Sequence, residues 1–288
     1  MTLKHLKIFV AVCETGSATA AGEKLYIAQP SISLAISELE DYYGIKLFDR
    51  IGKRLHITEA GKSFLQYATH IVGLFEDMEK GIKNFDAMGI IRIGTSITIG
   101  NCLLPGYITR FKQAHPQMDV KVIIDNSERI QHYILSNKID IGLIEGAVHS
   151  SYIIEHRFRD DELVMICGND HPFAYRKNVE ISELQKESLI LREEGSAGRE
   201  IFDSTMTMHG LEVFPAWESI STQAIIRAVQ ANLGISVLPY LLVKDSLERK
   251  EISQFYINGI QFKRSFSVIY HKNKFLTESA KDFIALCR

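Results

Sequence analysis

Three hydroxyl-bearing stretches stand where helices are expected to begin. They are Thr95-Ser96-Ile97-Thr98-Ile99-Gly100, Gly195-Ser196-Ala197-Gly198-Arg199 and Ser219-Ile220-Ser221-Thr222. A helix start gathers unpaired N–H groups and a positive partial charge, so it can hold a small anion. Each stretch alone is explained as a plain N-cap. Three at equivalent places after strands would form one donor-rich pocket for a small anion or carboxylate, built from Thr95, Ser96, Thr98, Gly195, Ser196, Arg199, Ser221 and Thr222. Ser127 opens a further helix at the same rim. Glu145, directly after its own strand, is the odd member: a carboxylate repels an anion unless it is protonated or paired, with Arg192 or Arg199 as candidate partners.

A second group lies near the N-terminus. Ser17 can cap a helix over Ala18–Leu25, Tyr26-Ile27-Ala28 make a break, and Gln29-Pro30 opens another helix, with proline where a missing N–H costs nothing. Ile32, Ala35, Ile36 and Leu39 recur at helical spacing, which leaves Gln29, Ser31, Ser33, Leu34 and Ser37 on the other face. Short helix, tight turn and second helix with small polar residues at its start is the geometry that reads a DNA major groove. An ordinary helical hairpin is the alternative. Leu47 to Ile57 follows as two short alternating pieces around Gly52, a β-hairpin whose Arg50, Lys53 and Arg54 would lie near phosphates or the minor groove. Lys46 to Lys62 holds five basic residues against Asp49 and Glu59, a local charge of +3.

Other chemistry finds little support. Ten histidines occur without HExxH or other close ligand spacing, and no CxxC, GxSxG or GxxxxGK[ST] pattern exists. No metal, cofactor or catalytic set is therefore expected. Glu193-Glu194 and Asp160-Asp161 read as surface loops. Cys13, Cys102, Cys167 and Cys287 are scattered, as in reduced, mostly buried thiols.

The elements that must position these groups divide in two. A length of 288 residues favours about two domains, and 46% hydrophobic with 24% charged residues is an ordinary globular composition. A net charge of −2 argues against nonspecific coating of nucleic acid by the whole molecule. No apolar run approaches a membrane span, and the chain opens directly into an amphipathic helix with no signal region, so a cytoplasmic protein is expected. Leu3, Leu6, Phe9, Val10 and Cys13 mark a first helix that ends at Gly16. Gly22, inside the next helix, suggests close packing of the first helix over it. Thr58 caps a long helix to about Asp86, in which Phe64, Tyr67, Ala68, Ile71, Leu74, Phe75, Met78, Ile82 and Phe85 recur every three or four residues. That stripe exceeds what a small winged domain covers and suggests pairing with a second copy. From Ile90 the period changes to alternating strands and helices, a parallel sheet followed by a second set and a late strand at Phe266 to Tyr270. Two α/β lobes around a cleft result, with crossings near Arg159–Glu162 and Lys263–Ser265.

These residues match a family. Gly16-Ser17-Ala18-Thr19-Ala20-Ala21, Ala28-Gln29-Pro30-Ser31-Ile32-Ser33, Leu39-Glu40, Leu47-Phe48-Asp49-Arg50 and Leu55-His56-Ile57-Thr58-Glu59-Ala60-Gly61 resemble the LysR-type bacterial transcriptional regulators. The C-terminal part resembles their effector domain, of type 2 periplasmic-binding-protein fold. Gly94 to Pro105, Leu191 to Arg199 and Gly234 to Pro239 are most similar to the CysL-like, sulfur-metabolism branch.

The resemblance implies a winged helix-turn-helix over 1–58, a linker and dimerisation helix over 59–88 and an effector domain over 89–288. Lobe I would be 89–161 with 265–288, and lobe II 162–264. It implies a sequence-specific regulator of promoter inverted repeats, a homodimer or homotetramer and not an enzyme, controlled by a small anionic effector. It implies that Gln29, Pro30 and Ser33 face bases, that Arg50 and Arg54 lie near the backbone or minor groove, and that Ser96 and Thr98 contact the effector; Ser17, Thr19, Ser31, Leu34, Ser37 and Lys53 are the further DNA-facing candidates of the same elements. Ala18 replaces a common aromatic, Leu34 a common polar or basic residue, and Glu145 a threonine of some members. The competing expectations are a two-lobed solute binder or enzyme with a helical accessory, and an effector-independent architectural DNA binder.

Overall fold

The computed structural model describes residues 1–51, 54–83, 89–176 and 178–288, apart from the side chains of Arg54 and residues 80–83. It forms two compact units, Met1–Gly89 with Leu135–Lys138, and Ile90–Ile134 with Ile139–Arg288.

The first unit starts with α1 (Leu3–Thr15), α2 (Ala18–Leu25) and α3 (Gln29–Tyr43). Helix α1 buries Leu6, Ile8, Phe9, Ala11 and Val12, and stops at Gly16 in the left-handed region, φ 68°. Ile32, Ala35, Ile36 and Leu39 of α3 complete this core. A Cβ on Gly22 would meet the Ile27 carbonyl oxygen at 2.6 Å. The reason for glycine is thus the turn folding back on α2 and not α1 packing over it; the Ile27 N–H returns to the Gly22 carbonyl at 2.9 Å.

Strands β1 (Phe48–Ile51) and β2 (Arg54–Ile57) pair antiparallel, with Phe48 opposite Ile57 and Ile51 opposite Arg54. Gly52 and Lys53, the expected hairpin tip, lie outside the described residues. Glu40 pins this hairpin to α3: its carboxylate accepts from Lys46 Nζ (2.7 Å) and from the N–H groups of Leu47 (3.0 Å) and Phe48 (3.2 Å). Helix α4 (Glu59–Lys83) starts at Thr58, whose Oγ1 accepts from the Gly61 N–H at 2.9 Å. Its apolar stripe splits. Ala68 and Val72 are buried and Phe64 meets Phe9 edge-on at 5.0 Å, whereas Tyr67, Ile71 and Met78 stay exposed. The Ile82 side chain and residues 84–88, including Phe85, Asp86 and Met88, are outside the described set.

The second unit opens with β3 (Ile90–Thr95), α5 (Ile97–Cys102), α6 (Leu104–Ala114), β4 (Asp119–Ile124), α7 (Ser127–Leu135) and β5 (Ile141–Glu145). Strand β3 pairs in parallel with both β4 and β5, as the alternation predicts. There follow β6 (Ile153–Cys167), β7 (Leu189–Arg192), α8 (Ala197–Met208), β8 (Pro215–Ser219), α9 (Thr222–Gln230), β9 (Ser236–Pro239), α10 (Tyr240–Glu248), β10 (Ser253–Phe255), β11 (Phe262–His271) and α11 (Glu278–Cys287).

The main sheet runs β10-β6-β11-β5-β3-β4, with β9 also on β6, and β7 pairs in parallel with β8. The expected strands at Leu163–Cys167 and Phe266–Tyr270 are parts of the longer β6 and β11. The two expected crossings lie within this ladder and face each other, with Asp161 opposite Arg264 and Glu162 opposite Lys263. Alternation sorts the core: Leu163, Met165 and Cys167 pack with Phe202, Val237 and Phe262, while Val164 and Ile166 pack with Ile225, Val229 and Leu238. Around β3, β5 and β11 a separate core forms from Ile93, Leu143, Val268, Phe111 and Phe283.

Among the described residues no helix is long and apolar enough to cross a membrane, and no three His, Cys, Asp or Glu side chains are placed to hold a metal. Burial pushes the thiols of Cys13 and Cys287 up to about 12 and that of Cys167 to about 11, with the Glu14 and Glu187 charges adding to the first and third. Cys102 departs from the expected burial and is exposed.

Candidate functional site

On the first unit the polar face of α3 stays open. Gln29, Pro30 and Ser31 are exposed, Ser33 and Ser37 half-buried, and Leu34 is 60% exposed. Gln29 Nε2 donates to Ser33 Oγ at 2.8 Å, one turn on, which fixes the amide across the N-terminal turn. Ser17 Oγ accepts from the Ala20 N–H at 3.5 Å, a loose cap, and Thr19 beside it is exposed. Arg50 is exposed on β1; Lys53 and the Arg54 side chain are not described. The structure adds Tyr26, 97% exposed with φ 57°, in the turn between α2 and α3. The sequence marked it only as part of a break, because left-handed backbone at a tyrosine has no residue-type signature.

In the second unit, carboxyl ends of strands and starts of helices meet at a small cleft. From the first set of elements it is lined by Ser96, Ile97 and Thr98 after β3, Asn126 and Ser127 at the start of α7, and Glu145 at the end of β5. From the second set come Arg192, Ser196, Ala197 and Gly198 at the start of α8, Val237 and Pro239 of β9, and Arg264 of β11. Of the expected ligand residues, Ser96, Thr98, Ser127, Glu145 and Ser196 are thus brought together.

The others are not among its lining. Thr95 is fully buried, its hydroxyl turned to the Ser96 carbonyl at 3.2 Å. Gly195 sits at φ 81° with its carbonyl accepting from the Glu128 N–H. Arg199 binds Asp203 (2.6 Å), Glu218 (3.3 Å) and the Arg192 carbonyl (3.0 Å). Ser221 caps α9 through the Ala224 N–H, and Thr222 lies 3.5 Å from Arg192 Nη1.

Charge pairing also differs from expectation. Arg192 is held by its neighbour Glu193 at 2.8 and 2.9 Å, so neither it nor Arg199 pairs with Glu145. The partner is Arg264, 3.6 Å away, whose Nη2 lies 2.6 Å from Asp161 and donates to Thr98 Oγ1 at 3.1 Å. Asp161 and Glu193 are therefore largely buried ion-pair members and not surface loop residues. Sequence reading missed Arg264 because it lies 119 positions after Glu145 and only the β6–β11 ladder carries it to the cleft floor. Asn126 was missed too; its Oδ1 caps α7 through the Arg129 N–H, and its Nδ2 donates to the Glu194 carbonyl at 3.2 Å.

Two cleft atoms have no hydrogen-bond partner among the described residues: Ser96 Oγ, on a residue 1% exposed, and Glu145 Oε1, on a residue 4% exposed. Glu145 Oε2 accepts from Ser127 Oγ at 3.1 Å. A buried polar atom left unsatisfied costs about 1–3 kcal/mol, which a ligand supplying the missing partner recovers.

The relatives of this chain identify its family. Residues 3–62 match the family described as bacterial regulatory helix-turn-helix protein, lysR family, and residues 86–288 the family described as LysR substrate binding domain. The HTH-type transcriptional regulator YeiE of Escherichia coli is 34% identical over 100% of this chain and 97% of its own length. The HTH-type transcriptional regulator CysL of Bacillus subtilis is 33% identical over 98% of this chain and 95% of its own. The regulatory domain of Synechocystis CcmR, solved in complex with 2-PG, superposes with a TM-score of 0.64 at 27% identity, covering 69% of this chain and 96% of that one. With a helix-turn-helix and wing in one unit and a two-lobed α/β cleft in the other, the chain belongs to the LysR family of DNA-binding transcriptional regulators and is not an enzyme.

Proposed function

We propose that this regulator reads a promoter inverted repeat as a homodimer joined along α4, and as a homotetramer through its effector units, in the cytoplasm. Gln29 hydrogen-bonds a base edge, Pro30 packs on a thymine methyl, Ser33 faces the bases beside them, and Arg50 and Arg54 of the wing lie near the backbone or minor groove. A small-molecule effector carrying an anionic or carboxylate group occupies the cleft between lobe I (89–161 and 265–288) and lobe II (162–264). Its effector unit belongs with the CysL-like, sulfur-metabolism branch, on the strength of Gly94–Pro105, Leu191–Arg199 and Gly234–Pro239.

The observation that carries the effector reading is Ser96 Oγ, buried at the cleft without a hydrogen-bond partner among the described residues. The ligand in the CcmR domain supports it by likeness of fold and sequence. Effector binding changes the angle between the lobes and so the spacing of the DNA-binding heads, which requires that the ligand prefer one arrangement.

A gel-shift titration with the DNA upstream of the protein's own gene, at physiological salt, tests the reading. A specific complex whose affinity moves with an added small molecule is the expected result. No specific complex, or one indifferent to every ligand that binds the protein, would sink it.

A further inference from the structure

We propose that the cleft ligand is a zwitterion of the α-amino-acid type, with its carboxylate at the start of α8 and Ser96 and its ammonium group on Glu145. This rests on the effector reading above and adds the charge of the ligand.

The cleft is not a plain anion site. Every guanidinium at or beside it is already engaged by a carboxylate: Arg192 by Glu193, Arg199 by Asp203, Arg264 by Asp161. Glu145 shares Arg264 at 3.6 Å, while Asp161 holds the same Nη2 at 2.6 Å. One guanidinium thus serves two carboxylates, and Glu145 holds the longer of the two contacts. Its side chain is 5% exposed, and Oε1, the atom nearest Arg264, receives no hydrogen bond from the described residues. A bare oxyanion entering here meets a carboxylate that can only accept; a ligand with a donor group completes it. An ammonium group supplies the missing hydrogen bond together with a positive charge.

The opposite wall suits a carboxylate. Helix α8 spans twelve residues, and its N-cap, Ser196, makes no side-chain cap hydrogen bond, so the N–H groups of its first turn have no side-chain acceptor there. Ser196, Ala197 and Gly198 line the cleft at this point, and the backbone next to Glu145 is close: a Cβ on Gly146 would lie 2.7 Å from Ala197 Cβ. The unpartnered Ser96 hydroxyl lines the same cleft. Donors and an unfilled acceptor therefore line one cleft.

The test uses the full-length protein and Glu145→Gln in thermal-shift and calorimetric titrations. The panel is the twenty L-amino acids, the hydroxy acids glycolate, L-lactate and L-glycerate, and the anions sulfate, phosphate and acetate. One or more amino acids should bind the native protein, and should bind Glu145→Gln at least about tenfold more weakly, as expected for loss of a hydrogen bond to a charged group. The hydroxy acids and bare anions should bind the native protein more weakly than that amino acid. Should the variant unfold, the ranking of the three classes on the native protein decides alone. A bare anion or hydroxy acid that binds while no amino acid does overturns the zwitterion and leaves the effector reading standing. Equal binding of an amino acid by both proteins overturns the role of Glu145. If nothing in the panel binds, this inference falls; if in addition a broad metabolite mixture leaves the gel shift unmoved, the effector reading falls with it.

Discussion

Gln29 is held by a local contact before any partner is present. Its amide is fixed by Ser33 at 2.8 Å and otherwise faces solvent, so little rotamer freedom remains to be lost on meeting a base edge. Gln29→Ala should cost about 1–3 kcal/mol on the specific site and leave affinity for random DNA unchanged, measured by parallel gel shifts. Equal losses on both would mean a backbone contact. Ser96→Ala belongs to the same scale. It should weaken the thermal shift given by any cleft ligand, and if DNA affinity without ligand falls as well, Ser96 supports the fold and not the ligand. Both residues stand out in the sequence as candidates because each sits at a helix start of small polar residues. Arg264 and Glu145 as partners do not, since no spacing along the chain announces a pair joined across a ladder.

Among the elements, the hairpin and the α2–α3 turn depend on single contacts. Burial works to raise the pKa of Glu40, but the hydrogen bond from Lys46, the N–H groups of Phe48 and Leu47, and the Lys46 charge outweigh it, so the carboxyl titrates below its ordinary value of 4.5. A group with a depressed folded pKa stabilises fully above that ordinary value and loses its contribution as pH falls through the folded one. Glu40→Gln should therefore lower the stability of the first unit at neutral pH by about 1–3 kcal/mol, and the difference from the native protein should shrink in acid. Chemical denaturation at pH 7 and at about pH 3 checks both parts, and an undiminished difference in acid would mean that packing and not charge is lost. Gly22→Ala brings a methyl to within 2.6 Å of the Ile27 carbonyl, backbone against which little can yield. The ordinary gain of about 1 kcal/mol for alanine in a helix should reverse into a net loss, read as a lower Tm with weakened DNA affinity.

At the scale of the whole molecule the exposed seam of α4 matters most. Tyr67, Ile71 and Met78 are separated by four and seven residues, which places them on one face at coiled-coil spacing, and each is between 45 and 49% exposed. Ile71→Glu should shift the protein toward monomer in sedimentation velocity and lower its affinity for a two-half-site operator much more than for a single half-site, because only the former gains from a linked second head. A variant that remains dimeric would assign the dimer to other surfaces.

Local pattern determined a great deal here. Helical spacing gave α1 to α4, a hydroxyl or proline gave the starts of α2, α3 and α4, and the alternation of periods gave the parallel β3, β4 and β5, because these signals lie within a few turns of one another. The tertiary structure alone decided the length of β6 and β11. The expected strands cover only parts of them, since the charged run from Arg157 to Glu162 breaks the apolar alternation and a register irregularity falls between Phe266 and Ser267. It alone decided that Thr95, Arg199, Ser221 and Thr222 stand outside the cleft lining while Asn126 and Arg264 are part of it. The physical reason is common to all of these. Capping and periodicity are set by neighbours in sequence, whereas which charge answers Glu145 is set by a pairing of strands more than a hundred residues apart.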